Sequence, residues 1–497
     1  MELKSKNEIN NDEMKKIIYK GKEKIIPIKN PDPMKCEFYI IKKKRYCHFE
    51  KYKGSDYCVY HRIEEKDEYL ICPYDPKHRI LKEKYKSHLK VCNTLMNEKN
   101  LEKNEWFIKN YNKAKKNKNY PLPSDEELNK IYNEKFENLS VSELENYIQK
   151  ILDSYEIAKK IYISYIKEND LENYINNSLN KNIKNKEIKY TISGVYINTE
   201  NDLKHTEQRQ HFEKHNIQNE ALSSLVFNSG LMEKDSENTI LVEFGAGKGG
   251  LSEEINKQNN DKAIYILLER SGVRFKKENK NEKENSIRYK TDIIDFNLNY
   301  IDNIDKIAKR EKQKKLLEEK GYNIIGIAKH ICGCAFDLSL TALSNYEHQE
   351  RIKGLVMATC CHHSCRVELL NNLYYYLDLL HLNIKDIIFL FKSTSWLFSH
   401  GEKRKLKKDE DNKKLYEEDN KENKDSEDEF KKNKIEINDI FTKRKIEKKY
   451  IGIMAKYIID IGRCKYLIDK GFKRVLYLKY CSNAVTTENN VILAMKD

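Results

Sequence analysis

The sequence predicts an α/β domain with a doubly wound sheet, preceded by two small zinc-binding modules and a helical connector. Three observations carry this. From about Thr191 onward short apolar strands alternate with helical patterns, a glycine turn follows one of those strands, and two Cys/His sets occupy the N-terminal region. At 497 residues the chain exceeds one compact core, so two or more domains are expected.

The elements follow in order. Residues 1–30 are polar and charged and read as a disordered N-terminus; 31–65 and 69–95 hold the two Cys/His modules. Residues 96–190 read as an Asn/Lys-rich linker and a helical connector, with capping-box spacing at Ser124/Glu127 and Ser142/Glu145. Within it Leu144, Ile148, Ile151, Tyr155, Ala158, Tyr162 and Tyr165 recur at helical spacing. Residues 191–497 form the α/β domain, interrupted by a charged insertion at 402–434 whose composition predicts disorder.

The twelve cysteines are clustered, five from Cys36 to Cys92 and five from Cys332 to Cys365, a pattern that suits metal ligation or chemistry better than a disulfide framework. Cys464 and Cys481 stand apart and read as core residues. The net charge of +14 favours an anionic partner, because Lys and Arg that neutralise phosphates release counterions. The N-terminus lacks the apolar run of a signal peptide, and nowhere do about 18 uncharged apolar residues follow one another. The expectation is an intracellular protein of nucleus or cytoplasm, with no membrane and no obligate protein partner.

In the first module Cys36, Cys47, Cys58 and His61 are separated by ten, ten and two residues. Three thiolates and one imidazole complete a tetrahedral zinc shell, which makes the site structural. The second module runs CPYDPKHRILKEKYKSHLKVC and supplies Cys72, His78, His88 and Cys92. His88 and Cys92 share a helical face, and Cys72 with His78 would close the shell from a turn. Lys77, Arg79, Lys82, Lys84, Lys86 and Lys90 surround these ligands with positive charge. Chance enrichment of buried Cys and His is the alternative for either set alone, and adjacency of the two weakens it.

In the α/β part, ILVEFGAGKGGLS places Gly245, Gly247 and Gly249 after a strand, with Glu243 just before the turn as an acceptor for a ligand amine. The next strand ends in Glu269, 24 residues after Gly245, near the spacing at which an acid meets ribose hydroxyls. Asp292 follows another short strand and could meet an adenine amine, or be a solvated turn acid. No Lys-Ser/Thr pair follows the glycines, so an adenosine ligand without a long phosphate tail is favoured, and S-adenosylmethionine fits. Two further strands end in KHICGCAFDLSL, with Lys329, His330, Cys332 and Asp337, and in CCHHSC, with Cys360, Cys361, His362, His363 and Cys365. All five groups would converge on the carboxyl edge of one sheet. CCHHSC reads as an active-site wall, with a third metal site or plain packing as alternatives.

With these motifs, the chain resembles the eukaryotic tRNA ribose methyltransferases that modify the fourth nucleotide of the acceptor stem, the tRNA:m(4)X modification enzymes. The resemblance covers both modules and most of residues 200–497, including Lys204, His205 and Gln208, VEFGAGKGGLS, LLERSGVRFK, RYKTDIIDF, KHICGCAFDLSL, ATCCHHSC and YCSNAVTTENNVILA. Ile331, Thr359 and Ser364 depart from the family's usual residues without removing a ligand. The resemblance implies a Rossmann-like, S-adenosylmethionine-dependent methyltransferase domain with two structural zinc ions. It implies methyl transfer to a ribose 2'-hydroxyl of the tRNA acceptor stem, with Lys329, His330, Cys361, His362 and His363 lining the reacting centre. A zinc-finger RNA-binding or splicing protein with a degenerate methyltransferase fold is the competing expectation.

Overall fold

TILVEF, IYILL and the core of NIIGIAKHIC and IKGLVMATC are buried on both faces, as only a sheet covered by helices on each side allows. The computed structural model describes residues 14–19, 22–27, 29–40, 45–58, 61, 69–114, 119–181, 183–194, 211–273, 276, 284–401, 440–444 and 446–496. Contacts divide the chain into two compact units, one holding the N-terminal residues through Lys103, the other running from Asn104 through Ser399 and over the C-terminal helix and strands.

The first unit contains three two-stranded ribbons: β1 (Met14–Tyr19) with β2 (Lys22–Pro27), β3 (Tyr39–Ile40) with β4 (Arg45–Tyr46), and β5 (Tyr69–Cys72) with β6 (Asp75–Leu81). Helices α1 (Tyr85–Val91) and α2 (Asn93–Leu101) follow. The antiparallel pairing of Met14 with Pro27 through Tyr19 with Lys22 corrects the expectation of a wholly disordered N-terminus; each strand carries an Ile-Ile pair of high strand propensity.

The second unit begins with α3 (Asp125–Asn133), α4 (Val141–Glu168), α5 (Leu171–Tyr174) and β7 (Thr191–Ile192). Next come α6 (His211–Asn228), β8 (Thr239–Phe244), α7 (Gly250–Gln258), β9 (Ile264–Leu268), β10 (Ser286–Tyr289), α8 (Ile304–Ile307) and α9 (Glu311–Lys320). The chain closes with β11 (Asn323–Cys332), α10 (Cys334–Asn345), β12 (Ile352–Cys360), α11 (Ile384–Ser393), α12 (Lys448–Asp469), β13 (Arg474–Lys479) and β14 (Asn490–Met495). Eight strands make one sheet in the order β10-β9-β8-β11-β12-β14-β13-β7. The first five are parallel and β14 enters antiparallel to β12. The chain leaves β8 for β9 and β10 on one side, then crosses back to β11 on the other. The strand order therefore reverses between β8 and β11, the position beyond whose carboxyl ends open α/β sheets commonly bind ligands.

The expected linker and connector are part of this core instead. Asn112 is fully buried, and its amide donates to the carbonyls of Ile293 and Phe296 at 2.7 and 2.8 Å, while Trp106 packs on Tyr289. Helix α4 packs against α12, burying Leu144, Ile148, Ile151, Tyr155, Ala158 and Tyr162. The Tyr162 hydroxyl accepts from the Tyr477 amide and the Tyr165 hydroxyl from the Val475 amide, which covers an edge of β13 that β7 pairs over only two residues. The capping box of α4 is Ser140 with Glu143, not Ser142 with Glu145: the helix starts at Val141, so the latter pair already lies inside the helix. The Ser124–Glu127 box is present on α3. The insertion at 402–434, and Lys204, His205 and Gln208, lie outside the described residues.

If α4 is core rather than connector, Ile148→Ala should lower the unfolding free energy by about 2–4 kcal/mol in urea titrations. A loss below about 0.5 kcal/mol would mean that the helix contributes only surface packing.

Candidate active site and zinc modules

The ligand sets of the first unit converge as their spacing requires. Sulfur and nitrogen atoms of Cys36, Cys47, Cys58 and His61 lie within 4.8 Å of one another, and so do those of Cys72, His78, His88 and Cys92. In the first set Cys47 Sγ is 3.9 Å from Cys58 Sγ, and His61 Nδ1 is 3.4 and 3.3 Å from Cys36 and Cys58. Phe38 stacks on the His61 ring, and Asn30 donates to the Cys36 and Cys47 carbonyls, holding the two ligand turns together. In the second set Cys72 and Cys92 are 3.7 Å apart. Cys92 opens α2, where the Leu95 and Thr94 amides hold its thiol down to about 6. His88 Nε2 is buried with no protein partner. An orphaned imidazole nitrogen beside thiol ligands fits a zinc ion, whose bond would satisfy it. Arg79, Lys82, Lys84, Lys86 and Lys90 are exposed around this set; the Lys77 side chain lies outside the described residues.

In the second unit the five polar groups do stand at neighbouring strand ends. Gly245, Gly247 and Gly249 have φ of 65, 50 and 76°, so the turn from β8 into α7 uses a left-handed backbone three times within five residues. A Cβ at Gly245 would sit 3.4 Å from the His330 carbonyl oxygen, which sets the glycine turn directly against the end of β11. Glu269, at the end of β9, accepts from the Gly247 amide at 2.9 Å and from the Ser271 amide and hydroxyl. Arg288 on β10 donates to the Gly247 carbonyl at 2.9 Å, so the turn is held from both sides. Asp292 is half-buried, pairing with Arg270 and accepting from the Ile294 amide. A left-handed glycine turn beside a carboxylate, with no Lys-Ser/Thr pair following the glycines, fits an adenosine with a free ribose diol.

Glu243 differs from the sequence reading. It is buried, and one carboxylate oxygen accepts from the Ser252 hydroxyl and amide at 2.5 and 3.3 Å, so this oxygen caps α7 instead of facing a ligand amine. Burial raises its pKa to about 7, against the pull of Ser252, Lys329 and Arg288.

A β-bulge positions the next pair. Ala328 is opposite Met357 and Ile331 opposite Thr359, so β11 carries one extra residue over that stretch, which re-aims Lys329 and His330. The His330 ring meets His215 of α6 edge-on at 5.7 Å. Although His330 is exposed as a residue, desolvation of its ring, with Lys329 and His215 beside it, pushes the imidazole down to about 4.

The CCHHSC segment splits. Cys361 stands in the left-handed region at φ 52°, His363 is exposed, and Cys361 is half-buried. His362 is enclosed, its Nε2 2.8 Å from Asp460 Oδ1, so it belongs to the interior and not to the reacting centre. Burial opposes the Asp460 charge, yet His362, Arg463 and Lys456 hold its carboxyl well below the usual range. Arg463 donates to Asp460 at 2.9 Å, Asp337 at 2.7 Å and the Gly333 carbonyl at 3.0 Å, and Thr359 donates to Asp460 at 2.9 Å. The sequence reading missed Asp460, Arg463, Arg288 and His215. For the first two a signal existed: Lys456, Asp460 and Arg463 share one face and are the only charged residues in the apolar run 451–464 of that helix.

This architecture, a helix-covered mixed sheet with a glycine turn at its reversal point and two zinc modules ahead of it, defines the class of zinc-finger methyltransferases. The family description "Methyltransferase TRM13" matches residues 217–495, and the chain belongs to that family. A "CCCH zinc finger in TRM13 protein" matches residues 34–62 and a "U11-48K-like CHHC zinc finger" residues 69–93. The tRNA:m(4)X modification enzyme TRM13 of Vanderwaltozyma polyspora is 27% identical over 93% of this chain and 98% of its own. The human TRM13 homolog is 27% identical over 93% and 94%, and the mouse homolog 26% identical over 92% and 93%. No solved structure matches. Among the described residues no helix is long and apolar enough to cross a membrane.

Glu243 yields a pH test. Its folded pKa is raised, so between its ordinary 4.5 and about 7 the folded chain holds a proton that the unfolded chain has released, and stability falls as pH rises through that window. Glu243→Gln should remove a decline on the order of 2–3 kcal/mol, seen by comparing urea unfolding of both proteins at pH 5 and pH 7.5. Parallel pH profiles would show that the carboxyl is ionised throughout.

Proposed function

We propose that this chain transfers a methyl group from S-adenosylmethionine to the ribose 2'-hydroxyl of the fourth nucleotide of a tRNA acceptor stem, in a Rossmann-like domain. The observation that carries the reading is the glycine turn, tied by Glu269 and Arg288, lying against the bulged end of β11 at the sheet's reversal point. The names of the relatives, tRNA:m(4)X modification enzymes, support the substrate and the position.

Gly245, Gly247 and Gly249 would receive the cofactor's backbone-facing side, Glu269 its ribose hydroxyls and Asp292 its adenine amine. When bound, S-adenosylmethionine supplies an electrophilic methyl on sulfur. The chain's own task is then to align the ribose oxygen and take its proton. His330 suits that task best. Its imidazole can accept a proton at a ring nitrogen, and the bulge sets it at the strand end against the glycine turn. Lys329 would stabilise the developing oxyanion, and Cys361 and His363 would line the ribose. The exposed basic residues of the second finger suit phosphates, and an A-form stem offers its 2'-hydroxyls across a shallow minor groove. A nuclear or cytoplasmic setting follows from such a substrate. The competing reading, an RNA-binding protein with a degenerate methyltransferase fold, is disfavoured by the intact glycine turn.

The deciding experiment is labelled-methyl transfer to total tRNA with mapping of nuclease-resistant dinucleotides. One 2'-O-methyl at the fourth acceptor nucleotide is expected; label on a base or on protein would overturn the ribose assignment. His330→Ala should lower kcat about 100-fold or more while the Kd for S-adenosylmethionine changes less than about threefold. Loss of turnover in His363→Ala with His330→Ala active would move the base to His363. Cys72→Ser with His88→Ala should release one zinc and weaken tRNA binding about tenfold or more, with a shallower salt dependence, by filter binding. Unchanged affinity would confine that finger to folding.

A further inference from the structure

Outside the fingers, one more set of soft ligands converges. Cys332 at the end of β11 and Cys360 with Cys361 at the end of β12 bring their three sulfurs within 4.8 Å of one another, and Cys332 Sγ is 3.6 Å from Cys360 Sγ. A zinc–sulfur bond of about 2.3 Å at the tetrahedral angle puts two thiolates about 3.8 Å apart. The fingers hold their cysteine pairs at 3.9 and 3.7 Å, so the third set has the same spacing as the two zinc modules and lies far outside a disulfide bond.

Two backbone devices build the set. Consecutive residues of a strand point to opposite faces, so Cys360 and Cys361 would ordinarily diverge. The left-handed turn at Cys361, φ 52° and ψ 40°, breaks that alternation at a residue type that rarely adopts it. The bulge between Ala328 and Ile331 then sets Cys332 opposite Cys360. Cys360 is buried, Cys361 half-buried and Cys332 exposed, so the set is anchored in the core and open on one side. No fourth ligand joins it among the described residues.

We propose that Cys332, Cys360 and Cys361 form a third zinc site, with three thiolate ligands and a fourth position left to solvent. Soft thiolate donors select zinc, and three protein ligands with one open position distinguish this site from the closed fingers. The ion clamps the ends of β11 and β12, next to Lys329 and His330.

The test is metal stoichiometry of the full chain, purified under reducing conditions without chelators. Three zinc ions per chain are expected. Cys332→Ser and, separately, Cys361→Ser should each give two, while Cys72→Ser with His88→Ala independently removes one. Thermal unfolding of the variants checks that the fold is kept, and iodoacetamide should label Cys332 in wild type at least tenfold faster after chelation. Two zinc ions in the wild type, with Cys332 alkylated at the rate of a free thiol, would overturn the proposal. A mass 2 Da below the reduced chain, restored by reductant, would do so as well, by making the pair a disulfide.

Discussion

The carboxyl edge of the sheet depends on one buried cation. Arg463, on α12, reaches Asp337 on α10, Asp460 on its own helix and the Gly333 carbonyl after β11, and its guanidinium lies over the Phe336 ring. Asp460 in turn holds Thr359 and His362 of the β12 end. A guanidinium removed from water must be paired on several sides at once, and its planar fork permits this where an ammonium would not. The strand ends and loops that carry His330, Cys332, Cys361 and His363 are therefore positioned by ionic hydrogen bonds rather than by side-chain packing alone. Gly333 is part of the same constraint: with φ at 54°, a Cβ there would lie 2.8 Å from the Ser364 backbone, so only glycine lets the two loops meet.

Above that base, the glycine turn is restrained by partners from two other strands, Glu269 from β9 and Arg288 from β10. A turn held in this way would need little further ordering on binding a ligand, which is how preorganisation improves affinity. The bulge in β11 has a comparable effect. It costs the ladder one residue's pairing and sets Lys329 and His330 at the carboxyl edge where strand order reverses. These features place the polar groups by covalent geometry and sheet register.

Much of this was legible in the sequence because it is written in local chemistry. Strands buried on both faces must be continuous apolar runs, so TILVEF and IYILL announced themselves. Zinc ligands must be Cys or His at short spacings, so the two finger sets could be read directly. The helix α4 and its apolar face were also legible, but its place in the core was not, because that depends on partners distant in the chain, such as Val475 for Tyr165. Residues 104–114 are polar-rich and are ordered in the same way, Asn112 by Phe296, whereas the hairpin at Met14–Pro27 is a local pairing hidden by its charged surroundings. His362 and Glu243 show the same limit at the level of side chains. Both carry the right functional group at a strand end, but both are turned onto internal partners.

The sequence by itself determined the alternation of strands and helices in the α/β domain, the two zinc ligand sets, the glycine turn and the concentration of Cys, His and Lys at two strand ends. These follow from spacing, composition and backbone freedom, all properties of neighbours in the chain. Only the tertiary structure decided which of those groups are open and which are buried, because exposure depends on what packs across from a residue. It also decided that Arg463 and Asp460, some hundred residues beyond the motifs they hold, belong to the site, and that three cysteines from two strands meet. Those contacts arise from strand order and register, which no local pattern encodes.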